Sequence, residues 1–354
     1  MKALRGKTIL VTGASGFVGS HLIKRLKDIG CVIHALSRNE VASNGDGIHW
    51  TKADISDMES LRKVFIQLSP DIVFHLGSHV TGNRALNELE PTLRSNLLST
   101  INLLTLVTEH NCERMVTVGS MEEPDINSSD VPNSPYSAAK WASTGYSRMF
   151  FSLYNTPVVT ATLYMVYGPD QKDTSKLIPY VTTALLQNST PKLSSGKRDI
   201  DWIYIDDVVE GLIQIAITPG IEGKIIDFGS GTTHTIREVV EKIVDLTNPD
   251  VMPQFSARRD RPFENTRIAN VELTSSLMDW KPQVSLPDGL ARTVSWYREN
   301  LQEANGEKRL EANGEKRLEA NGEKRLEANG EKRLEVNGEK RLEVNGKQRL
   351  VKKA

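Results

Sequence analysis

The sequence predicts an α/β fold in which helices cover both faces of a doubly wound parallel sheet. Three observations carry this prediction. Short β-branched runs alternate with longer amphipathic stretches over residues 1–163, and a glycine-rich turn joins the first run to the first amphipathic stretch. The runs are also apolar throughout, as strands are when helices cover both faces of their sheet.

The predicted elements alternate along the chain. The predicted strands are Thr8–Val11, Cys31–Leu36, Ile72–Leu76, Met115–Val118 and Val158–Leu163. The predicted helices are Phe17–Ile29, Met58–Gln67, Thr92–Glu109 and Tyr136–Leu153. Each helix returns the chain to start the next strand in the same direction, which is the repeated βαβ pattern of a parallel sheet.

Residues 164–302 are less regular. A strand-like run occupies 202–205, a helical run 207–217, and a final helix is expected near 290–300. We interpret 164–302 mainly as a smaller substrate-binding lobe that is interleaved with the end of the sheet.

The composition excludes several classes of protein. With 354 residues and 38% hydrophobic content, the chain has enough apolar surface for a core and the length of about two domains. No apolar run reaches the roughly 18 residues of a membrane helix, so we expect a cytoplasmic protein with no membrane partner. Cys31 and Cys112 are too few for a disulfide framework or a zinc site, and no metal is expected. The net charge of −1 does not indicate nucleic-acid binding.

Residues 303–354 form a tail of a different kind. Six eight-residue units of the type Glu-Ala-Asn-Gly-Glu-Lys-Arg-Leu fill 303–350; the tail has 14 basic and 11 acidic residues, or +3, against −4 for residues 1–302. Eight residues advance about 80° beyond two helical turns, so the leucines of successive units do not form one stripe. Asn-Gly is also costly inside a helix. We therefore predict a disordered or frayed helical tail, with a partner-binding array as the alternative.

A glycine turn predicts the first ligand. Gly13, Gly16 and Gly19 form a Gly-x-x-Gly-x-x-Gly pattern between the first strand and the first helix. A pyrophosphate needs a tight turn, a backbone that it can approach without meeting a Cβ, and free N–H groups at a helix N-terminus. We therefore predict a Rossmann-like dinucleotide-binding domain over 1–163. The other contacts expected from this turn are those of Ser15, Phe17 and Val18.

A Tyr-x-x-x-Lys pair predicts the chemistry. Tyr136 and Lys140 are spaced i and i+4, so they lie one above the other on a helix face. A phenol with a pKa near 10 is a poor base at neutral pH, and an adjacent ammonium together with a positive nicotinamide lowers that pKa. We therefore expect Tyr136 to act as the acid/base and Lys140 to be its partner.

Together these motifs resemble the extended short-chain dehydrogenase/reductases, a family of NAD(P)-dependent nucleotide-sugar epimerases, dehydratases and ketoreductases. The resemblance covers roughly residues 5–300. It implies the catalytic roles of Tyr136 and Lys140, a nucleotide-sugar substrate, and a homodimer formed through the helices at 92–109 and 136–153. The further cofactor contacts that it implies are Asp54, Ile55, Leu76, Gly77 and Asn96.

The end of the second strand bears on the choice of dinucleotide. Ser37 stands where NAD-binding members carry an acidic residue for the ribose, and Arg38 follows it. An arginine pairs well with a 2′-phosphate, and no carboxylate at this position repels it. We predict NADP as the preferred cofactor; NAD remains open if Arg38 is only a solvated charge.

The third catalytic residue of the family is a Ser or Thr at the end of the fourth strand. Ser120 fits, although the strand register could equally place Met121 there. Glu122 and Glu123 follow, as acidic residues do in dehydratases of the family, where loss of water needs a second acid/base. The alternative is a solvated acidic loop.

The substrate side departs from the family pattern. Near Tyr167, Met165 stands where the family has an asparagine. Ile200 stands where the family has an arginine, and Arg198 could take over the role of that arginine. Arg261 belongs to a basic cluster suited to a diphosphate. The substrate residues predicted are Met165, Tyr167, Arg198 and Arg261.

Three functions remain in view. The first is hydride transfer at a sugar carbon of a nucleotide-activated hexose, with 4-keto chemistry in which Tyr136 is the acid/base. The second is NADPH-dependent reduction of a carbonyl compound without a nucleotide, which Met165 and Ile200 favour. The third is a non-catalytic nucleotide-sensing module, which the intact Tyr136 and Lys140 oppose.

Overall fold

The structure is a computed structural model that describes residues 2–41, 45–125, 130–264 and 266–302, and the backbone of 323–328, 331–336, 339–344 and 347–350. The chain divides into two compact units, one that ends at Val294 and one that starts at Ser295.

The first unit is built on a seven-stranded sheet. Its strands and those of a smaller sheet are β1 (Thr8–Thr12), β2 (Val32–Ser37), β3 (Ile48–Lys52), β4 (Ile72–His75), β5 (Arg114–Ser120), β6 (Val158–Leu163), β7 (Met165–Tyr167), β8 (Asp199–Tyr204), β9 (Ile225–Phe228) and β10 (Thr233–Thr235). The large sheet has the order β3-β2-β1-β4-β5-β6-β9, and every pair in it is parallel. This order confirms the predicted Rossmann-like, doubly wound fold.

Helices connect these strands. They are α1 (Phe17–Ile29), α2 (Met58–Leu68), α3 (Leu89–Thr92), α4 (Ser99–Glu109), α5 (Pro135–Tyr154), α6 (Leu177–Leu186), α7 (Ile205–Ile217), α8 (Ile236–Thr247), α9 (Val271–Leu277) and a last helical run, α10, at 286–302. Local signals set their ends. Gly30 ends α1 in the left-handed conformation at φ 88°, and the Ser134 side chain caps α5 by accepting a hydrogen bond from the Ser137 N–H.

Two elements within residues 1–163 differ from the prediction, and after residue 163 the elements that were not predicted are β7, β9, β10, α6, α8 and α9. β3 was not predicted, because His49 and Thr51 give it no apolar run and it is an edge strand that the solvent partly reaches. The long helix expected at 92–109 starts at Leu89 instead, with Pro91 in its first turn, where the missing N–H removes no helical hydrogen bond. This helix also contains a π-helical stretch, Leu93–Leu98, between α3 and α4.

The predicted interleaving of the smaller lobe with the large sheet is visible in the strand order. The chain leaves the large sheet after β6 and enters the smaller sheet, whose order is β10-β8-β7. It then returns as β9, which pairs in parallel with β6. One hydrophobic core runs through both sheets, from Ile9 in β1 to Val294.

A buried histidine joins the carboxyl ends of β1 and β4. His75 Nδ1 lies 2.8 Å from Thr12 Oγ1, which accepts a hydrogen bond from the Gly77 N–H, and Nε2 lies 3.1 Å from Thr100 Oγ1. Because the Thr100 hydroxyl donates to the Asn96 carbonyl oxygen, it accepts from Nε2, and these partners assign the ring proton to Nε2. Burial, followed by the charge of Lys140, lowers the pKa of His75 to about 3, so this link is neutral. It fixes the edge of the sheet where the strand order reverses.

The second unit contains a four-stranded antiparallel sheet of order β11-β12-β13-β14. Its strands are β11 (Glu323–Ala328), β12 (Glu331–Val336), β13 (Glu339–Val344) and β14 (Lys347–Leu350). The prediction of a frayed helix is wrong for these residues; the rest of the tail lies outside the described part. Two residues, Asn-Gly, separate successive strands, and this pair is the preferred sequence of a two-residue hairpin turn as well as a helix breaker. In the register of this sheet, Lys324 is the Cα partner of Glu335.

In the part of the chain that the structure describes, every helix is too short or too polar to span a bilayer.

Candidate active site

The glycine turn leaves no room for side chains. Gly13 has a φ of 68°, and a Cβ there would lie 2.6 Å from the Gly77 N atom. A Cβ on Gly19 would lie 2.1 Å from the Gly13 carbonyl oxygen. Gly16 is the N-cap of α1 and makes no side-chain capping bond, so the first N–H groups of the helix are available to an anion. The turn therefore fits the pyrophosphate of a dinucleotide, as predicted.

A cavity of about 990 Å³ opens from this turn along the carboxyl edge of the sheet. All predicted cofactor residues but one line it: Gly13, Ser15, Gly16, Phe17, Val18, Gly19, Ser37, Arg38, Asp54, Ile55, Leu76, Gly77, Tyr136 and Lys140. The exception is Asn96, which is buried behind the cavity. Its side chain accepts a hydrogen bond from the His79 N–H at 2.6 Å and another from the Ser78 hydroxyl at 3.0 Å. The side-chain amide of Asn96 therefore binds Ser78 and His79 and holds the segment after β4 in place.

Three side chains meet at the end of β5. Ser120 is the last residue of the strand, and its side chain lies close enough to Tyr136, at the start of α5, to lower the pKa of the phenol. Lys140 lies one turn further along α5 and donates to the Val118 carbonyl oxygen at 2.7 Å. Met121 is 4% exposed and packs in the core, which favours Ser120 over Met121 as the hydroxyl position.

The site perturbs both titratable groups. Burial, above all, raises the pKa of Tyr136 to about 12, while the hydrogen bond from Ser120 lowers it. Burial likewise lowers the pKa of Lys140 to about 8. Perturbed acid/base groups in a cleft mark a candidate catalytic site. Lys140 is anchored to the strand, and a bound nicotinamide would add its own positive charge in this cavity when oxidised.

The two predicted acidic residues have different surroundings. The Glu122 carboxylate lines the cavity and accepts hydrogen bonds from Arg198 Nη2 and Asn133 Nδ2, both at 2.9 Å. Glu123 is 7% exposed and lies behind Ser120, outside the cavity lining. The structure therefore places Glu123 apart from the other predicted catalytic residues, all of which line the cavity.

The smaller lobe completes the cavity. The predicted residues Met165, Tyr167, Arg198 and Arg261 all line it. Tyr167 is only 1% exposed and supports the wall from behind. Arg198 also lies 3.3 Å from Glu264, so it bridges two carboxylates.

The prediction missed the segment after β4 at the mouth of this cavity. A Cβ on Gly82 would lie 2.4 Å from Arg261 Nη1, so the guanidinium packs directly on the Gly82 backbone. Arg84 Nη1 donates to the Pro262 carbonyl oxygen at 2.6 Å. The signal available in the sequence was Gly82 itself, a glycine in a polar loop that follows a buried strand.

These features define a class of protein: a dinucleotide-dependent oxidoreductase with a Ser-Tyr-Lys site at the carboxyl edge of a Rossmann sheet. The chain belongs to the NAD-dependent epimerase/dehydratase family, whose family model matches residues 9–229. This confirms the resemblance to extended short-chain dehydrogenase/reductases, and with it an NAD-dependent enzyme.

The chain is similar to characterised members of that family. It is 28% identical to UDP-glucose 4-epimerase of Mycolicibacterium smegmatis over 317 residues, which cover 83% of this chain and 99% of that protein. It is 27% identical to dTDP-glucose 4,6-dehydratase 1 of Escherichia coli, over 85% of this chain and 95% of that protein. Among solved structures, the Bordetella bronchiseptica enzyme WbmF in complex with NADH matches with a TM-score of 0.74 and 25% identity, covering 86% of this chain and 96% of that one.

Proposed function

We propose that the protein transfers hydride at a sugar carbon of a nucleotide-activated hexose, through a 4-keto group, with Tyr136 as the acid/base. The observation that carries the proposal is one cavity that is lined both by the glycine turn and by Ser120, Tyr136 and Lys140. The similar UDP-glucose 4-epimerase and dTDP-glucose 4,6-dehydratase 1 support the substrate class. We assign the substrate lobe to 164–302 and the dinucleotide to 1–163.

The roles follow from the contacts. When bound, the nicotinamide supplies the hydride acceptor or donor. Tyr136 exchanges the proton of the substrate hydroxyl, and Ser120, which lines the same cavity, orients the substrate oxygen. Lys140, held by the Val118 carbonyl, keeps a positive charge under the tyrosine. The charge favours the tyrosinate, since an opposite charge stabilises the ionised form.

Epimerisation or ketoreduction is better supported than dehydration. Dehydration needs a further group that hands a proton to the leaving hydroxyl. Both oxygens of the Glu122 carboxylate already accept hydrogen bonds, from Arg198 and Asn133. Glu123 is buried away from the cavity, and Met121 has no titratable group.

We propose NADP as the preferred cofactor. Ser37 and Arg38 both line the cavity at the end of β2, so the ribose end meets a hydroxyl and a guanidinium. A guanidinium pairs bidentately with a phosphate. The complex of WbmF with NADH supports NAD as the alternative.

Reduction of a carbonyl compound without a nucleotide is the second candidate function. Met165 and Ile200 line the substrate side of the cavity, and an apolar wall offers no hydrogen bonds to a sugar. A non-catalytic nucleotide-sensing module is less well supported, because the pair of Ser120 and Tyr136 is formed.

We also propose a homodimer through α4 and α5 and the helical residues before them. Large apolar side chains are exposed on these helices: Leu89, Leu93, Leu98, Trp141 and Leu153. Water contact with such a patch is unfavourable, and a second copy would bury it. Cys31 and Cys112 are free thiols, which is consistent with the predicted cytoplasmic location.

One experiment separates these functions. The purified protein is incubated with UDP-glucose, dTDP-glucose and their 4-keto derivatives in the presence of NAD or NADP, each in its oxidised or its reduced form, and products and reduced cofactor are followed together. Product without net change of cofactor supports an epimerase or a dehydratase, and loss of one NADPH per product supports a ketoreductase. Turnover of simple carbonyl compounds alone would refute the nucleotide-sugar proposal.

A further inference from the structure

A buried carboxylate lies directly behind the proposed catalytic residues. Glu123 follows the end of β5 by three residues and is 7% exposed, although its side chain carries a titratable group. It is outside the cavity lining, so it cannot touch substrate or cofactor. Carboxylates are rarely buried to this extent unless their hydrogen bonds are provided for.

Both oxygens of Glu123 are hydrogen-bonded, and each to a different element. Oε1 accepts from the Ser120 N–H at 2.7 Å, at the end of β5. Oε2 accepts from Thr144 Oγ1 at 2.8 Å, one turn beyond Lys140 on α5. One carboxylate therefore links the backbone of the residue that carries the catalytic hydroxyl to the helix that carries the tyrosine and the lysine.

The backbone is shaped to admit this carboxylate. A Cβ on Gly119 would lie 2.8 Å from Glu123 Oε1 and 3.3 Å from Thr160. Only a residue without a side chain at 119 lets the carboxylate reach the end of β5. Arg267 Nη1 donates to the Glu123 carbonyl oxygen at 3.1 Å, which holds the residue from the other side.

We propose that Glu123 is a positioning residue, which fixes Ser120 against Tyr136 and supplies a negative charge beneath Lys140. The inference rests on the proposed function, because it assigns Ser120 and Tyr136 their catalytic roles. Its two parts are separable, since the hydrogen bonds act on geometry and the charge acts on proton equilibria.

The charge acts through known neighbours. Lys140 and Tyr136 face Glu123 from α5, Arg267 faces it from the segment before α9, and Glu122 lies beside it on the same loop. The Glu123 charge raises the pKa of Lys140 against the larger effect of burial, and it raises the pKa of Tyr136 together with burial. Removal of this charge is therefore expected to lower the pKa of both groups.

Glu123→Gln tests the charge with little change of shape. Its amide oxygen can still accept from the Ser120 N–H, and its NH2 group can donate to the Thr144 hydroxyl. The matched control is Glu113→Gln, which removes a surface carboxylate just before the other end of β5, where Glu113 pairs with Lys7. We measure kcat/KM against pH with the nucleotide sugar that the purified protein turns over. The ionisation of Tyr136 is measured separately, with saturating NADP, by ultraviolet difference absorbance against a Tyr136→Phe counterpart of each variant.

We expect Glu123→Gln to move both limbs of the rate profile, and the tyrosinate midpoint, to lower pH by about half a unit or more. Glu113→Gln should leave all three in place. Profiles of Glu123→Gln that coincide with wild type would overturn the role of the charge. If wild type turns over no nucleotide sugar, the substrate proposal fails, while the tyrosine titration still tests this inference.

Thr144→Val tests the positioning part, because it removes one of the two hydrogen bonds and keeps the carboxyl group. We expect kcat to fall several-fold when it is compared at the plateau of each pH profile. An unchanged kcat would overturn the positioning role. This variant also keeps the inference testable if Glu123→Gln does not fold.

Discussion

The tight fit of the glycine turn can be tested with two substitutions that share one backbone strain. Gly13 and Gly45 have the same φ of 68°, a conformation that residues with side chains adopt at a cost. A Cβ on Gly13 would lie 2.6 Å from the Gly77 N atom and 2.7 Å from the Leu76 carbonyl carbon, whereas a Cβ on Gly45 would meet nothing within 4 Å. Gly13→Ala therefore adds overlap to strain, and Gly45→Ala adds strain alone.

The magnitudes follow from these two effects. The left-handed conformation costs an alanine about 1–2 kcal/mol, so Gly45→Ala should lower the free energy of unfolding by about that amount. Overlap with backbone atoms cannot be relieved by rotation of a side chain, and overpacking costs about 1–3 kcal/mol more. Gly13→Ala should therefore lower the free energy of unfolding by the sum of the two costs, which is more than Gly45→Ala loses. It should also weaken dinucleotide binding by at least about tenfold, or about 1.4 kcal/mol, because the turn must move where the pyrophosphate approaches.

Urea unfolding of wild type and both variants gives the free energies, and titration calorimetry with NADP and NAD gives the affinities. Gly45→Ala should bind both dinucleotides as wild type does. Equal destabilisation of the two variants, with unchanged affinity in Gly13→Ala, would refute the packing argument.

Three further predictions concern the site. Tyr136→Phe should lower kcat by at least about a hundredfold while the dinucleotide affinity stays within about twofold, since general acid–base catalysis supplies this factor; full turnover by the variant would exclude Tyr136 as the acid/base. Arg38→Ala should weaken NADP binding about tenfold or more and leave NAD binding unchanged, and equal losses for both cofactors would contradict a role for Arg38 at the 2′-phosphate. The pKa of Lys140 is lowered from 10.5 to about 8 in the folded protein. Between these two pH values the unfolded chain keeps a proton on this lysine that the folded protein has lost. The free energy of unfolding of wild type should therefore rise with pH over this window, by up to about 3 kcal/mol. Lys140→Met should be the more stable protein near neutral pH and should lack this rise. The measurement is the free energy of unfolding in urea for both proteins, from neutral to alkaline pH. If that free energy changes with pH in the same way in both, Lys140 is not a destabilising buried charge.

The sequence was sufficient to predict most of the fold and the front of the site. Gly13, Gly16 and Gly19 specify a close approach of backbone to ligand, and Tyr136 and Lys140 share a helix face whatever the surroundings. Such features depend on local spacing, which is visible in one sequence. The helical limits at Phe17 and Ile29 followed from the same kind of signal.

Other features depend on contacts between distant segments, and spacing does not reveal these. Glu122 and Glu123 are neighbours in sequence, yet one accepts from Arg198 in the cavity and the other is buried under β5. Asn96 was expected at the cofactor, but its amide holds the backbone of His79. β3 has no apolar run, yet it pairs with β2 over its whole length. Its strand conformation depends on this partner strand more than on its own composition.

The sheet formed by the tail has a consequence for how this part of the chain can vary. The four described strands begin at Glu323, Glu331, Glu339 and Lys347, so the repeat length of eight residues equals the spacing of successive strands. Gain or loss of eight codons would add or remove one whole strand and leave the pairing of the others as it was. Insertion of a single codon would instead shift one strand against its neighbour and reverse which of its side chains share a face. Length variation among copies of this gene should therefore occur in whole repeats, and the tail can change length without any change to the enzyme that precedes it.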